Sequence, residues 1–296
     1  MTKIIVPFFA SLFLAGSYVA GKYTTIDLGP LTASFLRYAV ALVFLAVHFI
    51  RSGNGTLKAN RRDHVKFFCL GLTGIVGYHY FFFSALRHTE VTNTAIINGL
   101  SPVVTGLMAA GLMKERMGLW NYIGILLAFI GVLLLLIKGR LENLLGLNFA
   151  VGDLLMLCAV FCWAVYALLV KNLQNKYSSL TITFFSALYG TGLLFFLAFT
   201  DDLYGSLLKI SWLSAGSILY MGIFASGAGY LLYNQSIRQI GPTKTSSFVY
   251  GVVPILVAVL SWLFFREPVT TAMLISAAMI IAGLQMMLKG INGQRH

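Results

Sequence analysis

Ten apolar stretches of about 20 residues each dominate this chain. They lie at roughly 4–21, 30–50, 66–86, 91–113, 118–137, 151–171, 179–199, 211–236, 242–265 and 269–288. That length suits an α-helix crossing a ~30 Å hydrocarbon core. The stretches lack the alternation of a membrane β-barrel. In lipid every backbone group must be satisfied internally, which a helix does by itself. With 58% apolar and 10% charged residues, an ordinary soluble domain is excluded. The expected fold is an all-α membrane protein of ten transmembrane helices.

A net charge of +12 would suit a nucleic-acid partner, but the placement of the charges explains it otherwise. Ten spans put both termini on one side. That side holds Lys3, Arg51, Lys58, Arg61, Arg62, Lys66, Lys114, Arg116, Lys171, Lys176, Arg238, Lys244, Lys289 and Arg295. The other side holds only Lys22, Arg87, Lys138, Arg140, Lys209 and Arg266, together with seven of the nine acids. The positive-inside rule then places both termini in the cytoplasm. The charge reports topology, and no nucleic acid is expected as a partner. The opening MTKIIVPFFASLFLAGS has the pattern of a signal peptide, but an internal repeat requires it as a first span.

That repeat has an offset of 152. Gly77-Tyr78 matches Gly229-Tyr230, Ser84 matches Ser236, and Gly99 matches Gly251. Pro102 matches Pro254, Glu115 matches Glu267, and Gly131 matches Gly283. Earlier segments match at a slightly smaller offset, as Tyr18 does with Tyr166. The expected units are residues 1–147 and 148–296, joined by KGRLENLLGLN at 138–148. Five spans per unit is an odd number, so the second unit must sit inverted in the membrane. Inverted repeats belong to secondary transporters, whose binding site lies near the midplane between the two copies.

Polar residues cluster where such a site would be. In span 4, NTAIINGLSPVVTGL places Thr94, Asn98, Ser101 and Thr105 on one helical face. Pro102 lacks an N–H and frees the carbonyl of Asn98; Pro254 does the same for Tyr250 in span 9. A freed carbonyl in lipid must face protein or a wet cavity. Spans 3 and 8 add Tyr78 and His79, and Ser226, Tyr230, Tyr233 and Asn234. Aromatic rings with polar tips suit a small, partly apolar solute. Arg37 is the one full charge well inside a span; it could grip a carboxylate or phosphate or snorkel to the headgroups. The candidate solute-binding residues are therefore Arg37, Tyr78, His79, Thr94, Asn98, Ser101, Tyr230, Tyr233, Asn234 and Tyr250, with helix breaks at Pro102 and Pro254.

No Asp or Glu lies deep in a span, so His79 is the one candidate for intramembrane titration. Cys69, Cys158 and Cys162 form neither a metal-ligand pattern nor a disulfide framework. No HExxH or paired-Asp motif occurs. The expectation is a carrier with no cofactor and no metal, not an enzyme or a scaffold. Its partners are a small-molecule solute and the lipid bilayer.

The segment SALRHTEVTNTAIINGLSPVVTGLMAAGLMKERMGLWNYIGILLAFIGVLLL and its fainter echo IRQIGPTKTSSFVYGVVPILVAVLSWLFFREPVTTAMLISAAMIIAGL resemble the EamA family of the drug/metabolite transporter superfamily. The Arg in span 2, in LRY around Arg37, is typical of that family. The resemblance implies a bacterial inner-membrane carrier that exports amino acids or related metabolites through a central cavity. GYHYFFFSAL is similar to the aromatic amino acid exporter branch, which carries an aromatic residue just before the span 4 proline where this chain has Ser101. A sugar-nucleotide or phosphorylated-metabolite exchanger is the alternative, and it would call for several convergent cations at mid-membrane.

Overall fold

The computed structural model describes residues 2–52, 59–113, 118–136 and 150–292. The expected linker at 138–148, the boundary between the two units, and Glu115 lie outside the described residues. Among the described residues, ten long helices follow the apolar stretches. These are α1 (Thr2–Asp27), α2 (Pro30–Ser52), α3 (Arg61–His88), α4 (Val91–Asn98 and Ser101–Met113), α5 (Leu119–Leu136), α6 (Val151–Leu173), α7 (Ser179–Ala198), α8 (Trp212–Ile240), α9 (Pro242–Phe265) and α10 (Thr271–Asn292). A short helix, Leu203–Lys209, joins α7 to α8. Eight of the ten are long and apolar enough to cross a membrane; α5 and α10 contribute the shorter apolar helices Leu119–Leu135 and Thr271–Met286.

Helix ends follow local chemistry. Ser178 and Ser211 accept hydrogen bonds from the N–H groups of Thr181 and Ser214, capping α7 and α8. Pro242 opens α9, where its missing N–H costs nothing. Two helices carry a π-helical stretch, Gly71–Gly77 in α3 and Met221–Gly229 in α8. They end at repeat-related glycines, immediately before the repeat-related Tyr78 and Tyr230. π-Helical turns widen the backbone, free carbonyls and are frequent at functional sites.

The packing is reciprocal under exchange of α1–α5 with α6–α10. α1 packs on α8 and α9, and α6 packs on α3 and α4. α3 packs on α7, and α8 packs on α2. Three repeat-related pairs touch directly: α2 with α7, α4 with α9, and α5 with α10. Each pair is antiparallel. Asp201, just past the end of α7, reaches the first turn of α2. Glu267, just past the end of α9, reaches the first turn of α4. Along α5 and α10, Gly124 meets Gly283 while Gly131 meets Ser276 and Met279.

Candidate functional site

An enclosed cavity lies where α1, α2, α3, α6, α8 and α9 converge. Leu14, Ser17, Tyr18, Arg37, Tyr78, Phe82, Trp163, Tyr230 and Tyr250 line it. Its accessible volume is about 10 Å³, room for about one water. This is an occluded arrangement with the central aromatic rings collapsed onto one another.

Arg37 is 2% exposed and does not snorkel. Its Nε donates to Ser226 Oγ at 2.6 Å, and one Nη lies 3.7 Å from the Met221 sulfur. The remaining N–H groups find no acceptor among the described residues. Nor does Arg37 have a carboxylate partner there, since both ion pairs among the described residues belong to Asp63. The cavity thus holds a buried cation whose donors are only partly used.

The aromatic wall is built around Trp163. Its ring centroid lies 4.9 Å from that of Tyr78 and 5.0 Å from those of Tyr166, Tyr230 and Tyr233. Polar tips are held from behind. The Asn98 amide donates to Tyr18 Oη and, at 2.9 Å, to Tyr78 Oη. Ser101 Oγ donates to Asn98 Oδ1 at 2.8 Å. Trp163 Nε1 donates to Tyr233 Oη at 3.1 Å, and that hydroxyl pairs with Ser246 at 2.7 Å. Tyr230 Oη donates at 3.3 Å to the Gly74 carbonyl, inside the π-helical stretch of α3.

Of the residues expected from sequence, Arg37, Tyr78, Tyr230 and Tyr250 face the cavity. Asn98, Ser101 and Tyr233 form the layer behind it. His79 is buried beside them, its ring edge-on to Tyr38 and Tyr78, with Nδ1 3.0 Å from the Ile75 carbonyl. Thr94 and Asn234 lie elsewhere. Thr94 spends its hydroxyl on the Val91 carbonyl of its own helix. The Asn234 amide donates to Tyr166 and Thr183 between α6, α7 and α8. Pro102 follows a tightened turn in which the Gly99 and Leu100 N–H groups reach the Ile96 and Ile97 carbonyls, and α4 is broken there. Pro254 sits inside an unbroken α9. Tyr18 and Trp163 were not singled out from sequence. The available signal for Trp163 was its place at the middle of its apolar stretch, where an interfacial belt cannot explain it.

One end of the bundle is tied shut by carboxylates bonded to the N-termini of other helices. Glu267 accepts from Val91 N at 3.0 Å and from Thr92 N and Oγ1 at 3.2 and 3.0 Å. Asp201 accepts from Leu31 N at 2.6 Å, and Asp27 accepts from Ser211 N at 3.1 Å and Ser214 Oγ at 2.6 Å. Each anion sits at the positive end of a helix dipole. Lys22 and Arg87 donate to carbonyls at the ends of neighbouring helices, Leu86 and Leu28 respectively. This is the basic-poor end, so helix dipoles supply much of what its acids pair with.

Residues 1–137 and 150–289 each match the EamA-like transporter family. A Bacillus subtilis protein named "Uncharacterized transporter YyaM" is 30% identical over 274 residues, covering 93% of this chain and 89% of that one. An Archaeoglobus fulgidus protein named "Uncharacterized transporter" is 27% identical over 273 residues, 92% of each chain. A solved crystal structure superimposes with a TM-score of 0.70 at 19% identity, covering 98% of this chain and 99% of the other; it shares the fold.

Proposed function

Because the chain belongs to the EamA-like transporter family, and is thus a multi-pass membrane transporter, we propose that it is an alternating-access carrier for small organic solutes bearing one anionic group and a flat apolar part. Amino acids, aromatic ones included, and related metabolic acids have that chemistry. The five-helix units, residues 1–147 and 148–296, are inverted repeats in a ten-span bacterial inner-membrane protein with both termini cytoplasmic. Export is the direction this reading favours. Arg37, Tyr78, Tyr230 and Tyr250 contact the solute, and Asn98, Ser101 and Tyr233 hold the phenols in place.

Arg37 carries the reading. A buried cation without a charged partner is costly, by several kcal/mol even after relaxation. A solute carboxylate would use the guanidinium donors that the protein leaves open, and the surrounding rings would stack on its apolar part. The occluded cavity is a state between the two open ones. A single central cation suits one carboxylate better than a nucleoside diphosphate.

The test is efflux from proteoliposomes against a panel of amino acids, aromatic acids and neutral analogues, with and without a pH gradient. Acids should be carried and neutral analogues should not. Replacing buried charged groups by apolar side chains of similar volume is often neutral or stabilising, because their desolvation cost is removed. Arg37→Met should therefore keep or raise thermal stability while transport falls by at least tenfold. Transport of neutral analogues equal to that of acids, or an active Arg37→Met protein, would sink the proposal.

A further inference from the structure

A second, larger recess lies away from the central cavity, at the basic-rich end. It is a groove of about 470 Å³ between α4 and α6, with the start of α3 at its rim. Its depth is apolar, formed by Met108, Val165 and Leu168, and its rim carries Lys66, Lys171 and Asn172. Along α6, Val165 and Lys171 are separated by about 9 Å at 1.5 Å per residue. The groove therefore passes from ammonium groups to hydrocarbon over the distance between a lipid headgroup and its upper acyl chain.

The rim has charge to spare. Lys66 Nζ donates to Asn172 Oδ1 at 2.9 Å and lies 3.9 Å from Asp63. Asp63 is already held by Lys176 at 3.2 Å and by Tyr177 at 2.9 Å. Lys171, in the last turn of α6, makes no hydrogen bond or ion pair among the described residues. Among the described residues, Lys66 and Lys176 share the carboxylate of Asp63, and Lys171 adds a further ammonium group. Basic pockets between membrane helices on the cytoplasmic side suit anionic headgroups, and a recess of this size suits a bound molecule rather than a packing gap.

We propose that this groove binds one anionic phospholipid, its phosphate between Lys66 and Lys171 and an acyl chain along Met108, Val165 and Leu168. A free phosphate ion would use the rim and leave the apolar depth empty. The site needs the membrane setting but not the transport reading, and either stands if the other fails.

Full-length protein in nanodiscs tests it, with native mass spectrometry reading retained lipid and melting temperature reading its effect. Phosphatidylglycerol should be retained over phosphatidylcholine and should raise the melting temperature by about 2–4 °C. Lys171→Ala should weaken that preference, and the Lys66→Ala, Lys171→Ala pair should abolish it. Leu168→Trp keeps both lysines but fills the depth, and it should abolish the preference too; a charged surface without a groove would not respond. No preference in the unaltered protein overturns the proposal, whatever the variants do. So does an unchanged preference in the double variant or in Leu168→Trp. Inorganic phosphate or glycerol phosphate producing the same shift in phosphatidylcholine discs would assign the rim to a soluble anion and overturn it as well.

Discussion

Two repeat-related helices, α4 and α9, carry a proline at the same place and use it differently. In α4 the chain turns at Gly99 and Leu100 and begins again at Ser101. In α9 the helix runs from Pro242 to Phe265 straight through Pro254. Proline removes one hydrogen bond in each, so proline alone does not decide the outcome. What differs is the side chain one turn earlier. Asn98 and Ser101 bond to each other and to two phenols, a local alternative to the helical ladder. The second copy has Tyr250 and Val253 in those places, and the apolar Val253 cannot bond to its neighbour as Ser101 does to Asn98. Where repeat-related helices need only close packing, as α5 and α10 do at Gly131 and Gly283, the copies remain nearly equivalent. Where polar groups meet the cavity, they have diverged.

The largest expected effect tests the equivalent part. A Cβ on Gly283 would meet the Gly124 carbonyl and lie 2.8 Å from Ala128 N, both backbone atoms that cannot step aside. Gly283→Ala should cost about 2–3 kcal/mol by overpacking. A Cβ on Gly131 would lie 3.0 Å from Met279 Cβ and the Ser276 carbonyl, so Gly131→Ala should cost about 1 kcal/mol. Thermal unfolding of the purified variants reads both. A well-behaved Gly283→Ala protein would mean that the α5–α10 seam has room to part at Gly124 and Ala128.

The divergent part answers to a second pair. Asn98→Ala strips donors from two buried hydroxyls and an acceptor from Ser101, a loss of about 2–3 kcal/mol. Tyr250→Phe removes one hydroxyl at the cavity, a loss of about 1 kcal/mol in solute binding rather than in folding. Asn98→Ala should lower the melting temperature and raise the half-saturation concentration by about tenfold or more. Tyr250→Phe should raise half-saturation by about fivefold and leave the melting temperature alone. Equal effects on both readouts would show the two copies playing one role.

Much of the frame was legible because hydropathy is additive along a helix: the apolar stretches and the helices agree to within four residues at each end, α1 and α3 apart. Arg37 and the tyrosines stood out because a polar atom in a lipid-length stretch needs a reason. Trp163 and Tyr18 were harder, since an aromatic ring in an apolar stretch looks like ordinary packing. The π-helical segments left only a faint trace in the glycines of GLTGIVG and MGIFASGAG. Thr94 misled because helical phase puts a side chain on a face but does not say whether its hydroxyl will turn back to its own backbone. The carboxylates at helix ends were visible as charges. Their partners, N-termini up to 187 residues away, exist only once the helices are assembled.

Those carboxylates set the next test. Glu267 holds the first turn of α4 through both carboxylate oxygens. Glu267→Gln keeps the shape but loses the charge, and it offers one acceptor oxygen where two were used. The latch should weaken by about 1 kcal/mol. Hydrogen exchange at the Val91 and Thr92 amides should quicken, while exchange at the Ser211 amide, held by Asp27, should not change. Unchanged exchange at Val91 and Thr92 would mean that the carboxylate contributes nothing to closing this end.

The smallest effects should differ in sign at one motif position. Gly99 is crowded: an added Cβ would lie 2.8 Å from the Ile96 carbonyl, 3.3 Å from Ile280 Cγ2 and 3.6 Å from the Tyr250 carbonyl. Ile280 is 2% exposed and has little room to move. Gly251 has nothing within 4 Å of the same added atom, and it lies in a continuous helix. Gly99→Ala should therefore cost about 1 kcal/mol, and Gly251→Ala should gain about 0.5–1 kcal/mol because alanine loses less backbone freedom in a helix. Neither position has a positive φ, so strain does not enter. Melting temperatures should move in opposite directions. A fall in both would mean that α9 also bends at its proline in solution and needs Gly251 for the bend, making the two helices alike after all.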